Sequence, residues 1–221
     1  MTKACRAAAF AAVAPYAAWM ALMTLLPAAA WAYALRSAAT AAILLFAIVS
    51  ALRGRVEFRP GGVAALAWGV AAGLAVFALW VWPERFEWYR RFLTVGASAV
   101  AESSPYSPAV CGWHGTTARL LGSAFVIPVA EELFFRSFLY RWLQKGEWTE
   151  VDPSKFDFSA FLWTVALFAV EHNRIAAGAA AGAVYGLLAV KKGLGAAIVA
   201  HATTNLVLGL YVIRSGLWGF W

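Results

Sequence analysis

Apolar residues run through this chain in long blocks, separated by short charged or glycine- and proline-bearing stretches. A helix needs about 20 apolar residues to cross a bilayer core, and fewer where other helices shelter it. By that measure the pattern predicts seven spans, at 10–35, 38–52, 63–82, 116–143, 158–172, 175–190 and 194–213. Pro15 and Pro27 are expected to kink the first span, and Arg36 to mark its connection to the second. Arg53, Arg55 and Arg59 close the second, followed by the turn Pro60-Gly61-Gly62. Between the third and fourth spans, PERFEWYRRF reads as an amphipathic helix lying on the membrane surface. The SSPYSP stretch reads as a loop, because Pro105 and Pro108 oppose regular helix. The expected fold class is all-α: a polytopic membrane helix bundle of about seven transmembrane helices plus an interfacial segment. It is read as one domain over 1–221, with amino-terminal helices in 1–115 and a motif-bearing core in 116–214.

Composition agrees with this pattern. The chain is 63% hydrophobic and 13% charged, where a soluble domain carries about 25% charged residues. The net charge of +7 does not point to nucleic acid, because the basic residues are dispersed between apolar runs. They read as topology signals. With the amino terminus in the cytoplasm, ten Lys and Arg fall on the cytoplasmic side and six on the other, Arg36 among the six. A cytoplasmic amino terminus is the expectation. Lys3 and Arg6 precede an apolar run ending in AAAWA. That run exceeds the usual signal-peptide core of about 7–15 residues, so it is read as a retained helix. Cys5 and Cys111 lie in different flanks and are not expected to form a structural disulfide.

Candidate chemistry centres on the fourth span. Glu131, Glu132 and Arg136 sit inside VIPVAEELFFRSFLYRWL. A charged side chain at mid-bilayer costs roughly 2.5–3.5 kcal/mol on insertion scales. Three in six residues therefore call for polar partners from other helices. His172 ends FLWTVALFAVEH, and His201 lies one helical turn before Asn205 in HATTN. Residues at i and i+4 share a helix face, which pairs Glu132 with Arg136, Phe168 with His172 and His201 with Asn205. Three helices thus each present a polar face, and convergence on one pocket is the expected solution. A carboxylate beside an imidazole can take a proton from water. An imidazole and an asparagine amide can donate to a developing oxyanion. Arg136 can pair with Glu132 and leave Glu131 free. The inventory describes hydrolysis of an acyl bond by activated water. The depth of the site asks for a broken or short fifth helix, since His172 otherwise approaches the opposite face from Glu131 and His201.

These residues carry a resemblance. EELFFR matches EExxxR, FAVEH matches FxxxH and HATTN matches HxxxN, in that order on successive spans. The chain resembles the CAAX-protease and bacteriocin-processing (CPBP, or ABI) family of intramembrane glutamic proteases. The EWTEVDPSKFDFSAF insert and the ending HATTNLVLGLYVI are similar to the branch associated with exosortase/PEP-CTERM sorting. The resemblance implies an intramembrane endopeptidase acting on a membrane-associated protein or peptide, without metal or other cofactor. It implies that Glu131 and His172 activate the water, that His201 and Asn205 form the oxyanion hole, and that Glu132 and Arg136 orient the site or contact substrate. It also implies a bacterial inner membrane as the location and an exosortase-linked sorting system as a partner. Glu171 departs from the pattern; about 100° around a helix from His172, it reads as an interfacial charge or else as a residue supporting the site from behind.

Three other readings compete. Glu131, His172 and His201 offer zinc a histidine/carboxylate set with an open position, as in zinc-dependent membrane proteases. A non-catalytic scaffold or immunity protein would use the same cluster to bind a partner's tail. A small transporter or proton relay would use the intramembrane carboxylates, but the chain shows no repeated halves. Gly178, Gly182 and Gly186 line one face of the sixth span, which reads as close helix packing.

Overall fold

A computed structural model of the chain describes residues 1–56, 58, 61–94 and 104–221. Arg59 and Pro60 of the expected turn, and Ser103 of the SSPYSP loop, lie outside the described residues. All regular structure among the described residues is helical. Helix α1 spans Lys3–Leu25, α2 Ala30–Leu52, α3 Val63–Val81 and α4 Glu87–Phe92. Helix α5 runs through 108–144, with a break at Gly112 (φ 68°). Helices α6 (Phe158–Val170), α7 (Ile175–Lys192) and α8 (Leu194–Ser215) complete the bundle. Five of these helices are long and apolar enough to cross a membrane, and α6 is a shorter apolar helix. The protein is an integral membrane protein.

The first two spans meet elsewhere than expected. α1 ends at Leu25, and Leu26 turns extended (φ −108°, ψ 145°). Pro27 causes this, because its ring disfavours helical backbone in the preceding residue and it lacks an N–H to continue the ladder. Pro15 stays inside α1 and is buried. Arg36 is therefore no connection; it lies within α2, only 4% exposed. Pro108 opens α5 at its first turn, where a missing N–H costs nothing. The fourth span thus begins at 108 and not at 116, and the remaining spans keep their expected places within two residues.

α3 packs along α8, α6 pairs with α7, and α1 pairs with α2. α5 touches α1, α2, α6 and α8, so its central turns are enclosed. Those turns are irregular. Wide π turns at Gly122–Val126 and Leu133–Leu139 flank the α-helical Ile127–Glu132. Pro128 is buried in the middle and cannot donate the i→i−4 bond, which accounts for the widened turn before it. α6 has 13 residues, about 20 Å of helix against a bilayer core of about 30 Å. The end of this short helix reaches the centre of α5, which brings His172 together with Glu131.

Candidate active site

Each polar residue in the centre is set there by a particular element. α5 supplies Glu131, Glu132 and Arg136, buried at 8%, 0% and 7% exposure. Glu132 is held from two sides. Arg136 Nη1 lies 3.2 Å from its Oε1, one turn away on α5, and His201 Nδ1 lies 3.0 Å from the same oxygen, across from α8. Arg136 also donates to the Gly182 carbonyl of α7 at 3.3 Å and stands over the Phe168 ring at 4.2 Å. The buried guanidinium is thus neutralised and bonded, as a charge in a bilayer must be. Glu131 is left less constrained. Its Oε2 is 3.8 Å from His201 Nε2 and has no hydrogen-bond partner.

His201 stacks on Tyr185 of α7, with ring centroids 4.9 Å apart at 19°. Tyr185 donates to Thr204 at 2.7 Å, and Thr204 bonds the Gly73 carbonyl of α3 at 2.9 Å. Asn205 donates to the Ser123 carbonyl of α5 at 2.8 Å. An amide nitrogen carries two hydrogens, so one N–H of Asn205 is left for another acceptor. His201, Thr204, Asn205 and His172 share a cavity of about 140 Å³.

His172 stands just past α6. Its Nδ1 is 2.7 Å from the Phe168 carbonyl oxygen. A carbonyl only accepts, so Nδ1 carries the proton, and in the neutral ring Nε2 holds the lone pair. Phe168 is the floor of the site, with its ring 4.7 Å from that of His172 and 5.9 Å from that of His201.

Glu171 corrects the expectation. It is not an interfacial charge: it joins Glu131 and His172 in a group whose ligand-capable atoms all lie within 4.8 Å of one another. The 100° argument assumed that the helix continues. It ends at Val170, and His172 N bonds back to Ala169 O in a tighter turn. Tyr16 of α1 donates its hydroxyl to Glu171 Oε2. Tyr16, Tyr185 and Thr204 were missed. Thr204 sits inside the HATTN motif, so a signal existed; Tyr16 meets Glu171 across 155 residues, where no local pattern reaches.

The group of Glu131, Glu171 and His172 could hold a metal ion by donor type, which differs from the expected set by taking Glu171 in place of His201. Chemically, the centre offers unpaired carboxylate oxygens and an imidazole lone pair on one side. Asn205 offers an N–H donor on the other, beside the Nε2 of His201.

A model of the family described as type II CAAX prenyl endopeptidase Rce1-like matches residues 113–207. The match spans all three motifs and reaches the family, not a branch of it. The family is one of CAAX proteases, which are hydrolases. Comparison with curated proteins and with solved structures gave no match.

Proposed function

We propose that this chain, whose residues 113–207 belong to the Rce1-like CAAX-protease family, is an intramembrane glutamic endopeptidase that cuts a membrane-associated protein or peptide with a water activated by Glu131 and His172. The observation that carries it is the meeting of Glu131, Glu171 and His172 within 4.8 Å, in a membrane-embedded bundle. The water donates one hydrogen bond to the Glu131 carboxylate and the other to His172 Nε2. Glu131 takes the proton as the water oxygen attacks the carbonyl carbon. His201, held through Nδ1 against Glu132, turns Nε2 to the oxyanion, together with the remaining N–H of Asn205. The proton held by Glu131 then passes to the leaving nitrogen as the carbon–nitrogen bond breaks. Glu132 and Arg136 hold His201 in place and do not exchange protons.

The single-domain organisation over 1–221 and a bacterial inner membrane with a cytoplasmic amino terminus belong to the same proposal. The charge asymmetry supports the orientation, and removing Arg36 from the outer count enlarges it. The exosortase-linked partner rests on the resemblance of the insert and the ending alone. A second reading has one observation in its favour: Glu131, Glu171 and His172 present three ligand atoms to a zinc ion. Elemental analysis of the purified protein separates the two, since stoichiometric zinc removed by chelation together with activity belongs only to the second.

The test compares membrane-protein termini in cells carrying wild type, Glu131→Gln or His172→Ala at matched expression. New termini present in wild type and absent from both variants are expected, and they name the substrate. Identical termini in all three, with any phenotype preserved, would replace the protease with the partner-binding scaffold.

A further inference from the structure

Five arginines are buried or half-buried among the described residues; Arg141 bonds the Val151 carbonyl away from the histidine cavity, and the other four lie beside the site or its outer wall. Two have acids: Arg136 pairs with Glu132, and Arg174 with Glu84 at 2.8 Å. The other two, Arg36 of α2 and Arg119 of α5, have no acid partner among the described residues. Arg36 is 4% exposed, its Nε has no hydrogen-bond partner, and its Nη2 reaches only the neutral Tyr106 hydroxyl at 3.3 Å. Arg119 Nε is likewise buried without a partner. The two guanidiniums flank one ring, with Arg119 over Tyr33 at 4.3 Å and Arg36 over Tyr33 at 5.2 Å. Arg119 also lies over Tyr106 and Trp221, at 5.0 Å and 5.5 Å. Ring faces attract a cation but bring no countercharge to a buried guanidinium. Two adjacent positive charges therefore wait here for a negative one.

The place of Arg119 says where that negative charge comes from. Arg119 lines the same cavity of about 140 Å³ as His172, His201 and Asn205. The cavity is not enclosed, and a small anionic group with its attached peptide unit can enter it beside the two histidines. We infer that Arg119, with Arg36 behind it, binds a carboxylate of the substrate in the cavity shared by the two histidines, and so selects acid-bearing peptides and sets their register against the cut bond. Arg119 and Arg36 lie outside the three motifs. The inference rests on the protease reading of this cavity, and its test is chosen to stand apart from turnover.

The test is equilibrium binding to the full-length protein in detergent. The probes are three N-dansylated apolar pentapeptides: one with a free carboxyl terminus, one amidated, and one amidated with a single internal Glu. A charge-assisted bond is worth about 1.5–3 kcal/mol, which is tenfold or more in affinity. A carboxylate peptide is expected to bind wild type at least tenfold more tightly than the neutral amide. Whichever of the two acids shows the gap identifies chain terminus or side chain as the source. Arg119→Gln should erase the gap by weakening only the acidic peptide, and Arg119→Lys should keep part of it; unchanged amide binding shows that each variant is folded. Loss of affinity for all three peptides alike, or a gap untouched in Arg119→Gln, overturns the proposal. So does displacement of the acidic peptide by phosphatidylglycerol with no gap between peptides, which gives the site to a lipid. Glu102, outside the described residues, is the acid nearest to Tyr106 in sequence. Glu102→Gln should leave the gap unchanged, and a rise in acidic-peptide affinity would show that the arginines already have a partner. A protein that shows the Arg119-dependent gap yet cuts no peptide would sink the protease reading and leave this binding site standing.

Discussion

Glu131 and Glu132 are neighbours with opposite duties, and substitution should separate them. Glu132 is fully buried and answers both Arg136 and His201. Glu132→Gln removes the charge that neutralises Arg136, and leaving one member of a buried pair costs about 3–5 kcal/mol. Its thermal midpoint in detergent should fall well below that of Glu131→Gln, which gives up an oxygen without a hydrogen-bond partner and should stay within about 1 kcal/mol of wild type. Both should lose proteolysis. Tyr16 supplies a subtler case. Tyr16→Phe withdraws a donor from Glu171, so turnover should fall by up to about tenfold, the worth of one hydrogen bond. On a Glu171→Gln background the same change should add almost nothing, as a double-mutant cycle would report. The Glu132–Arg136 pair was legible in the sequence because both ends sit on one helix four residues apart. Glu171 was misread because its direction depends on where α6 stops, and that is decided by tertiary packing rather than by the apolar run itself.

At the scale of elements, glycine spacing carries two lessons. Gly178, Gly182 and Gly186 press α7 against α6 as their spacing suggested; a Cβ on Gly178 would sit 3.2 Å from Ala169 Cα and from His172 Cβ. The same four-residue spacing in Gly69 and Gly73 passed unread inside a uniformly apolar span, yet there the approach is closer. A Cβ at Gly69 would lie 2.9 Å from the Ala196 carbonyl, and one at Gly73 would overlap the Ala200 carbonyl and stand 2.6 Å from Thr203 Cβ. Backbone against backbone has nowhere to yield. Gly73→Ala should force α3 from α8, stretch the Thr204 bond to the Gly73 carbonyl and shift His201, next in the chain to Ala200. Overpacking of this kind costs about 1–3 kcal/mol. Gly73→Ala should therefore lower both the melting midpoint and proteolysis more than Gly178→Ala does, where neighbouring atoms need to move only a few tenths of an ångström. The helix count followed from hydropathy because lipid demands continuous apolar helix. The boundary at Pro27 did not, because hydropathy is blind to a proline that breaks one helix and is accommodated in another, as at Pro15.

The whole molecule has two differently built ends, and their sidedness decides how the site is reached. At one end the start of α1 meets the insert between α5 and α6, where Met1 N lies 2.9 Å from Glu147 Oε1 and Thr2 Oγ1 donates to Glu147 Oε2 at 3.3 Å. The same end opens into a cavity of about 1080 Å³, lined by Arg53, Arg55, Arg141 and Lys191 and reaching Arg136. At the other end the Glu84–Arg174 pair ties α3 to the α6–α7 turn, and Arg174 donates to the Gly219 carbonyl at 3.3 Å. Basic residues concentrate on the cytoplasmic side of membrane proteins, so the wide basic cavity should face the cytoplasm and the tied end the opposite compartment. Cysteines introduced singly at Ser154 and at Glu87, both exposed, on a background lacking Cys5 and Cys111, test this directly. A membrane-impermeant maleimide should modify position 87 in intact spheroplasts and position 154 only after permeabilisation. The reverse labelling would put the basic cavity outside, and the orientation drawn from Lys and Arg would have to be abandoned. With the expected labelling, Arg136 is the wall between a cytoplasmic vestibule and the histidine cavity, so a substrate entering from the cytoplasm must pass the one guanidinium that also holds Glu132.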